Sequence, residues 1–351
     1  IPYQKTLDSI GVNNDGKKDP ELDDPQRKDY QRICLEMILS FNASVCLAYY
    51  YKIKSSALDD NKNKKNIEKL EKSVFKYFKR KDGDDCELKY DLGQMSIGKW
   101  NQISRDTSKL LLDVVDKIPF PIKEIGRLYK DTSSSWNKSV NDLIRKRNSD
   151  AHGGIESDAK KLSEELDKRQ DMIDKLIKSI SFYDDYKLLV PIDEDVKDGI
   201  LYHICKDLSG DGESLYLLDN EKLKDVELDN YSTYLYNINS GDCLQLDPMI
   251  INYNSNPDSD EIDTFIYSKT ANNKNDLHYI NFNGSIDIKL KNKPSKTALP
   301  KPQELCRNFR LFRLFIEDEN LINRKEPKIN IRRKFKTDTT IQKEDVFMDV
   351  I

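Results

Sequence analysis

Apolar residues recur at helical spacing from about residue 24 to residue 184. One helix is predicted to begin at Asp24-Pro25, with Pro in the first helical turn, and to run to about Ala57. Further helices are predicted over 62–80, 96–117, 122–152 and 155–182, with 132–135 as a candidate interruption. Because each has an apolar stripe and a charged face, the pattern predicts an all-α bundle of about five helices over 23–184.

Polar or Pro-containing segments are predicted to separate these helices. Residues 1–22 form a polar leader, and Asp59-Asp60-Asn61 ends the first helix. The acidic segment 81–93 is predicted to be an exposed loop, and Ile118-Pro119-Phe120-Pro121 a rigid turn.

After Asp184-Asp185 the spacing of apolar residues changes from the helical period to about two. Turn residues such as Asp198-Gly199 and Ser240-Gly241-Asp242 divide the segment that follows. Candidate strands are 186–192, 200–205, 214–218, 231–238, 243–253, 263–267, 277–282 and 286–290. The sequence therefore predicts an α+β chain, in which a small antiparallel β domain over 185–292 follows the bundle. The remainder, 293–351, is predicted to be a linker, an amphipathic helix at 303–316 and a basic C-terminal tail.

Composition limits the kinds of partner that the chain can bind through its overall charge. The 351 residues are enough for two domains of ordinary size, and the formal net charge is −4. A broad electrostatic attraction to nucleic acid is therefore not implied, and any RNA contact has to be local.

The cysteines and the apolar runs favour a cytoplasmic location. Six cysteines are scattered without a CxxC pair, which suits a reducing cytosol and argues against a zinc site. The longest apolar run, Ala43 to Tyr51, is shorter than the roughly 20 residues that span a bilayer, and no signal peptide is visible. Because the chain opens with Ile, it is interpreted as a processed product or the later part of a longer protein.

The fourth predicted helix carries an arginine in its apolar stripe. The positions of this stripe are Val140, Ile144, Arg147 and Ala151. A guanidinium there costs several kcal/mol unless it is paired or opens onto a polar pocket. Arg145 and Lys146 fall off the stripe and are predicted to be solvated.

A histidine follows this arginine at the end of the same helix. Asn148 and His152 are i, i+4 neighbours, and Gly153-Gly154 is predicted to cap the helix. The negative end of the helix dipole would then favour an imidazolium at His152. The structural alternative is that Arg147 pairs with a carboxylate and that His152 only caps the helix terminus.

The segment 147–153, Arg-Asn-Ser-Asp-Ala-His-Gly, resembles the motif of the HEPN superfamily (higher eukaryotes and prokaryotes nucleotide-binding). In that motif an Arg and a following polar residue precede a short spacer and a His. The resemblance implies a homodimer in which Arg and His of both protomers form one ribonuclease site without a metal or cofactor. Attack by the ribose 2′-hydroxyl restricts such an enzyme to RNA and leaves a 2′,3′-cyclic phosphate.

The same resemblance implies a role for each motif residue. Arg147 would neutralise charge on the scissile phosphate, and His152 would activate the 2′-hydroxyl or protonate the leaving oxygen. Asn148 would orient the phosphate or the histidine. Asp150 would either tune the pKa of His152 or face water. Substrate-binding candidates beside these catalytic ones are Arg145, Lys146 and Asp150.

In layout the predicted β domain is similar to the β module that follows HEPN bundles in bacterial phage-defence proteins, through 215–219 and 246–250. This implies an effector of a defence or toxin system, with an NTPase, kinase or nucleotidyltransferase as a possible partner. Two alternatives stay open: a catalytically silent HEPN module that docks a partner protein, and a two-domain interaction protein whose motif is a coincidence.

Other candidate residues have a simpler interpretation. His203 and His278 fall in predicted strands without a Cys or His partner nearby, so both are predicted to be structural. The basic run 324–336 is predicted either to contact phosphates or to be a solvated tail or docking strand.

Overall fold

The chain folds with its helices in the first half and its strands mainly in the second. The computed structural model describes residues 24–56, 79–81, 88–90, 96–114, 120–131, 133–151, 158–209, 214–223, 228–230, 232–247, 249–253, 263–270, 276–281, 287–291, 329–331 and 348–350. The α+β class predicted from the sequence is confirmed within these residues. The leader 1–22, the amphipathic segment 303–316 and most of the basic run lie outside them.

Five α-helices form the helical half of the described chain. They are α1 (Asp24–Ser56), α2 (Ile97–Val114), α3 (Phe120–Leu128), α4 (Ser135–Ala151) and α5 (Ala159–Ser179). A 3₁₀ turn, Ser181–Asp185, leads from α5 into the first long strand. The predicted bounds of α1 are therefore correct to within a residue.

Helix α1 is the centre of the core, because its side chains are buried almost without interruption from Cys34 to Tyr50. A helix that is apolar around its whole circumference needs cover on every side. By length and composition the segment Asp24–Tyr50 also qualifies as a candidate membrane span, although its longest run of consecutive apolar residues is short. In the fold, 89% of that candidate window is buried.

Local hydrogen bonds set where the other helices begin. Ser96 caps α2 by accepting a hydrogen bond from the amide of Lys99 at 3.3 Å. Asp158 caps α5 by accepting from the amides of Lys160 and Lys161. The interruption of the long predicted helix is confirmed, because the helix ends at Leu128 and the next one begins at Ser135. The side chain of Asn137 donates to the Asp131 carbonyl in this interruption at 2.6 Å.

Two segments of the helical half differ from the sequence prediction. Lys79–Lys81 and Leu88–Tyr90 form an antiparallel pair, β1 and β2, where a helix end and a loop were expected. The rest of the predicted second helix lies outside the described residues. Phe120-Pro121 begins α3 instead of forming only a turn, because Pro is compatible with the first turn of a helix.

The described part of the second half contains two larger antiparallel sheets and one short strand pair. The first has the strand order β5-β4-β3-β6-β7, and the second has the order β11-β10-β9-β8. Their strands are β3 (Tyr186–Lys197), β4 (Ile200–Asp207), β5 (Ser214–Asp219), β6 (Tyr234–Asn237), β7 (Cys243–Gln245), β8 (Ile250–Tyr253), β9 (Asp263–Thr270), β10 (Asp276–Asn281) and β11 (Asp287–Lys291). A short pair, β12 (Ile329–Ile331) and β13 (Met348–Val350), lies nearer the C-terminus.

The turn predicted at Asp198-Gly199 is present in the structure, whereas one predicted strand is divided in two. Asp198 and Gly199 both have positive φ, which matches the tight hairpin turn expected between β3 and β4. The single strand predicted over 243–253 is wrong, because the chain turns at Leu246–Met249 and passes from the first sheet into the second.

One apolar core connects the helices with both sheets. Its members include Leu47 of α1, Leu235 of β6 and Phe265 of β9. Trp100 of α2 packs edge-on against Tyr267 of β9, with ring centroids 6.4 Å apart. A smaller apolar cluster covers the other face of the first sheet. The sheets therefore complete the core that the helices begin.

Candidate functional site

The motif predicted from the sequence lies at the C-terminal end of α4. The buried residues Trp136, Val140 and Leu143 hold this helix against the core. The described part of α4 ends at Ala151, so the predicted His152 lies outside the described residues. What the structure describes is the arginine side of the candidate site.

Arg147 is half-buried, as expected for a charged residue on the apolar stripe of α4. Its Nη1 donates a hydrogen bond to Oδ1 of Asn148 at 3.3 Å. Among the described residues, no carboxylate oxygen lies within 4.0 Å of the Arg147 guanidinium. Its charge is therefore not neutralised by a direct ion pair in this part of the chain.

Glu36 of α1 is the carboxyl group whose titration Arg147 influences. Desolvation by burial raises the pKa of Glu36, and the charges of Arg32 and Arg147 offset only part of that rise. Arg32 lies closer, with its Nη1 3.6 Å from Glu36 Oε2. The candidate site thus borders α1 as well as α4.

The two basic residues before Arg147 have different surroundings. Arg145 is exposed, as predicted, and forms an ion pair with Asp142 one turn earlier. Lys146 was predicted to be solvated, but it is half-buried. Its Nζ lies 3.6 Å from Glu165 Oε1 on α5. Both predicted substrate-binding cations are thus already near an acidic group.

Asp150 has a structural partner that the sequence analysis did not foresee. Its two carboxylate oxygens accept hydrogen bonds from Nη1 and Nη2 of Arg169 on α5, at 2.7 and 3.2 Å. Lys28 Nζ of α1 lies 3.3 Å from the same carboxylate. Asp150 therefore does not face water, which was one of its two predicted environments, because two cations of other helices surround it.

The guanidinium of Arg169 also binds a second carboxylate. Its Nη2 and Nε donate to Glu165 Oε1 at 2.6 and 3.2 Å. Desolvation raises the pKa of Asp150, but hydrogen bonds and charges from Arg169 and Lys28 outweigh it and leave that pKa below its ordinary value. The hydrogen bond from Arg169 likewise lowers the pKa of Glu165. We call Asp150, Arg169, Glu165 and Lys28 the Arg169 cluster.

A sequence signal for Arg169 existed, but the sequence alone did not lead us to single out this residue. Leu166 and Ile173 lie on the apolar stripe of α5, and Arg169 falls between them on the same stripe. The structure buries Arg169, with 7% of its surface exposed. The same argument that singled out Arg147 on α4 would have identified this residue.

His203, predicted to be structural, has a hydrogen-bond partner in the fold, and the described cysteines are buried. His203 is buried, and its Nε2 lies 3.0 Å from Asn220 Oδ1. The described cysteines are all buried, and burial raises the pKa of Cys34 and Cys205 to about 12. In the described ranges no group of three or more His, Cys, Asp or Glu side chains could hold a metal ion.

Comparison with protein-family models, with curated proteins and with solved structures gives no match to this chain. The described residues define a mixed α+β protein whose two larger antiparallel sheets follow its helices.

Proposed function

We propose that the chain is a metal-independent endoribonuclease whose site combines Arg147 and His152 of two protomers across a HEPN-like dimer. The observation that supports this best is the environment of Arg147. It is a half-buried guanidinium without a carboxylate at ion-pair distance in the described residues. Such a group gains more than an exposed, paired cation does when a phosphate approaches.

The proposed reaction uses the RNA's own hydroxyl as the nucleophile. The 2′-oxygen attacks the adjacent phosphorus, and the bond from phosphorus to the 5′-oxygen of the next nucleotide breaks. His152 takes the proton of the 2′-hydroxyl or gives a proton to the departing 5′-oxygen. Arg147 stabilises the negative charge on the non-bridging oxygens. The products are a 2′,3′-cyclic phosphate and a free 5′-hydroxyl.

In this proposal the protein acts in the cytoplasm as an effector of an antiphage defence or toxin system. Asn148 orients Arg147 or the phosphate, and Arg145 and Lys146 contact neighbouring phosphates after exchanging their acidic partners for RNA. The net charge of −4 fits a local contact better than a broad one. An NTPase, kinase or nucleotidyltransferase partner would control the activity.

The test is cleavage of total RNA by the purified full chain, with and without a chelator. Arg147→Ala and His152→Ala are each expected to lower the rate by about 100-fold or more, as for the loss of a charge-stabilising group. Ser149→Ala is the matched control, because Ser149 lies between the two and is exposed. The chelator is expected to have no effect, and the RNA ends should carry 2′,3′-cyclic phosphates.

The proposal fails if Arg147→Ala cleaves RNA at the wild-type rate or if the chelator abolishes cleavage. It also fails if the wild type cleaves no RNA even when cell extract supplies an activator.

A second candidate function is a catalytically silent module that docks a partner protein. The observation in its favour is the edge strand β5, which pairs only with β4 among the described residues and exposes Leu215 and Leu217. Exposed leucines on a strand edge are a common feature of protein-binding surfaces. Absence of cleavage together with co-purification of a partner would favour this function.

A further inference from the structure

Charged side chains of two other helices hold the described end of the motif helix. Asp150 lies three positions after Arg147 and one before Ala151, the last described residue of α4. Its partners come from two other helices, Arg169 from α5 and Lys28 from α1. The Arg169 cluster therefore joins three helices at the place where the motif lies.

The geometry of the pair restricts rotation as well as distance. Both oxygens of Asp150 accept from two different nitrogens of Arg169, so the planar guanidinium and the carboxylate face each other in a fixed orientation. The last turn of any helix has carbonyl groups without intrahelical partners and tends to fray. A bidentate pair on the last turn of α4 opposes this fraying.

The burial of Arg169 makes the restraint strong. The residue is almost fully buried, and its Nε and Nη2 also donate to Glu165 on its own helix. Glu165 therefore holds the guanidinium in place on α5, from where it contacts Asp150 of α4. A buried charge cluster resists displacement, because separating its members leaves an unpaired charge away from water.

We infer that Arg169 is a positioning residue: through Asp150 it fixes the last described turn of α4 and thereby the placement of Arg147. The catalytic consequence rests on the proposed function, whereas the restraint on α4 does not. Arg169 itself is buried and is not proposed to contact RNA.

Displacing a catalytic group affects the chemical step more than substrate binding. A misplacement of about 1 Å can lower a rate by about 100-fold. Loss of the restraint is therefore expected to lower kcat by about 10- to 100-fold while KM changes by less than about threefold. A purely structural ion pair would change stability without this division between kcat and KM.

The chain offers a matched control in Arg27. Arg27 is as deeply buried as Arg169, at 8% exposed, and it also joins α1 to α5, through Asp167 at 2.5 Å. Its other partner is Asp24, one turn away on α1, so this pair does not include α4. Arg169→Lys and Arg27→Lys each keep the charge and remove the planar fork of a buried arginine.

The experiment measures kcat, KM and the free energy of unfolding for the full chain with Arg169→Lys, Asp150→Asn or Arg27→Lys. The inference predicts that the first two variants lose kcat and that Arg27→Lys keeps it, even where the loss of stability is similar. Equal loss of kcat in Arg27→Lys would overturn it. Asp150→Asn, which keeps the shape of the side chain, provides the test if Arg169→Lys does not fold.

Amide hydrogen exchange provides a second measurement that does not depend on catalysis. Exchange in residues 145–151 should become faster in Arg169→Lys and Asp150→Asn, but not in Arg27→Lys. Unchanged exchange in 145–151 would overturn the inference even if cleavage were impaired. If the wild type cleaves no RNA, the proposed function fails, and exchange alone decides whether Arg169 fixes the end of α4.

Discussion

The guanidinium of Arg147 donates a hydrogen bond to the side chain of the very next residue, Asn148, over 3.3 Å. Successive residues point in directions about 100° apart around a helix, so such a contact requires the long arginine side chain to bend towards the exposed asparagine. The bond selects one orientation of the Arg147 side chain. This favours an orienting role for Asn148 that acts on the arginine.

Replacing Asn148 tests this role. Asn148→Ala removes the acceptor and leaves Arg147 free to adopt several rotamers, so we expect the rate of RNA cleavage to fall by about 10-fold. The fall should be smaller than that of Arg147→Ala, because the charge remains. Ser149→Ala, at the next exposed position of α4, should retain the wild-type rate. Equal cleavage rates for Asn148→Ala and Ser149→Ala would contradict the orienting role of Asn148.

Tyr183 should contribute to stability through its hydroxyl group. This fully buried hydroxyl donates to Asn42 Oδ1 on α1 over 3.0 Å and so joins the 3₁₀ turn to the central helix. Tyr183→Phe leaves the buried Asn42 oxygen without this donor, and we expect a loss of about 1 to 3 kcal/mol in the free energy of unfolding. Urea denaturation measures the loss.

Tyr30→Phe is the control, because Tyr30 also packs on the core but is only half-buried. Its hydroxyl makes no hydrogen bond to another described residue. A loss in Tyr30→Phe as large as that in Tyr183→Phe would mean that the Asn42 contact contributes nothing specific.

Asp207 should make stability depend on acid pH. Desolvation raises the pKa of Asp207, but hydrogen bonds from Lys187 and Ser209 outweigh it and hold that pKa below the ordinary value of about 3.9. The unfolded chain therefore takes up this proton at a higher pH than the folded chain. The stabilisation is complete well above about pH 4 and is lost as pH falls through the pKa of the folded state.

Asp207→Asn should accordingly lose less stability than the wild type between pH 7 and pH 3. At pH 7 the variant is expected to be less stable by about 1 to 3 kcal/mol, because Lys187 loses its charged partner. Chemical denaturation at both pH values measures the difference. Lys187→Met should reduce the pH dependence in the same direction, and a variant curve parallel to that of the wild type would exclude Asp207 as its source.

Two glycines with positive φ provide a graded test of the β sheets. Gly199 has φ +81° and no atom within 4 Å of an added Cβ, whereas at Gly241, with φ +74°, a Cβ would lie 2.1 Å from the Lys222 carbonyl oxygen. Gly199→Ala should cost only the backbone strain, about 1 to 2 kcal/mol. Gly241→Ala should cost clearly more, because backbone has to move. Thermal unfolding of both variants compares the costs, and equal costs would contradict the close approach at Gly241.

The sequence predicted helices best where periodicity and an end signal coincide. Helix α1 has a start signal in Asp24-Pro25, and apolar residues at helical spacing from Ile33 to Ala48 predicted its body, although in the fold it is buried on every side. The break between β7 and β8 was missed because apolar residues continue through the turn at Leu246–Met249, although Pro248 marks it. The pair β1 and β2 lacks a clear alternation of apolar residues, so its pairing was not visible in the sequence.

The surroundings of the motif residues were only partly predictable from the sequence. Arg147 could be singled out because it interrupts an apolar stripe within one helix. The pair between Asp150 and Arg169 joins different helices, and a single sequence does not specify which helices become neighbours. Periodicity indicates that a charge will be buried, whereas only tertiary packing determines which opposite charge accompanies it.

The apolar surface of α1 has a consequence for attempts to divide the protein. Lys52, near the end of α1, donates to the Cys243 carbonyl on β7 over 3.3 Å, and the core continues from α1 into both sheets. A fragment that stopped at residue 185 would expose to water the leucines and tyrosines that the sheets now cover. Such a fragment would self-associate through this bare surface. The helices are therefore not expected to form a stable unit on their own, and any shortened version of the chain has to retain the strands that cover them.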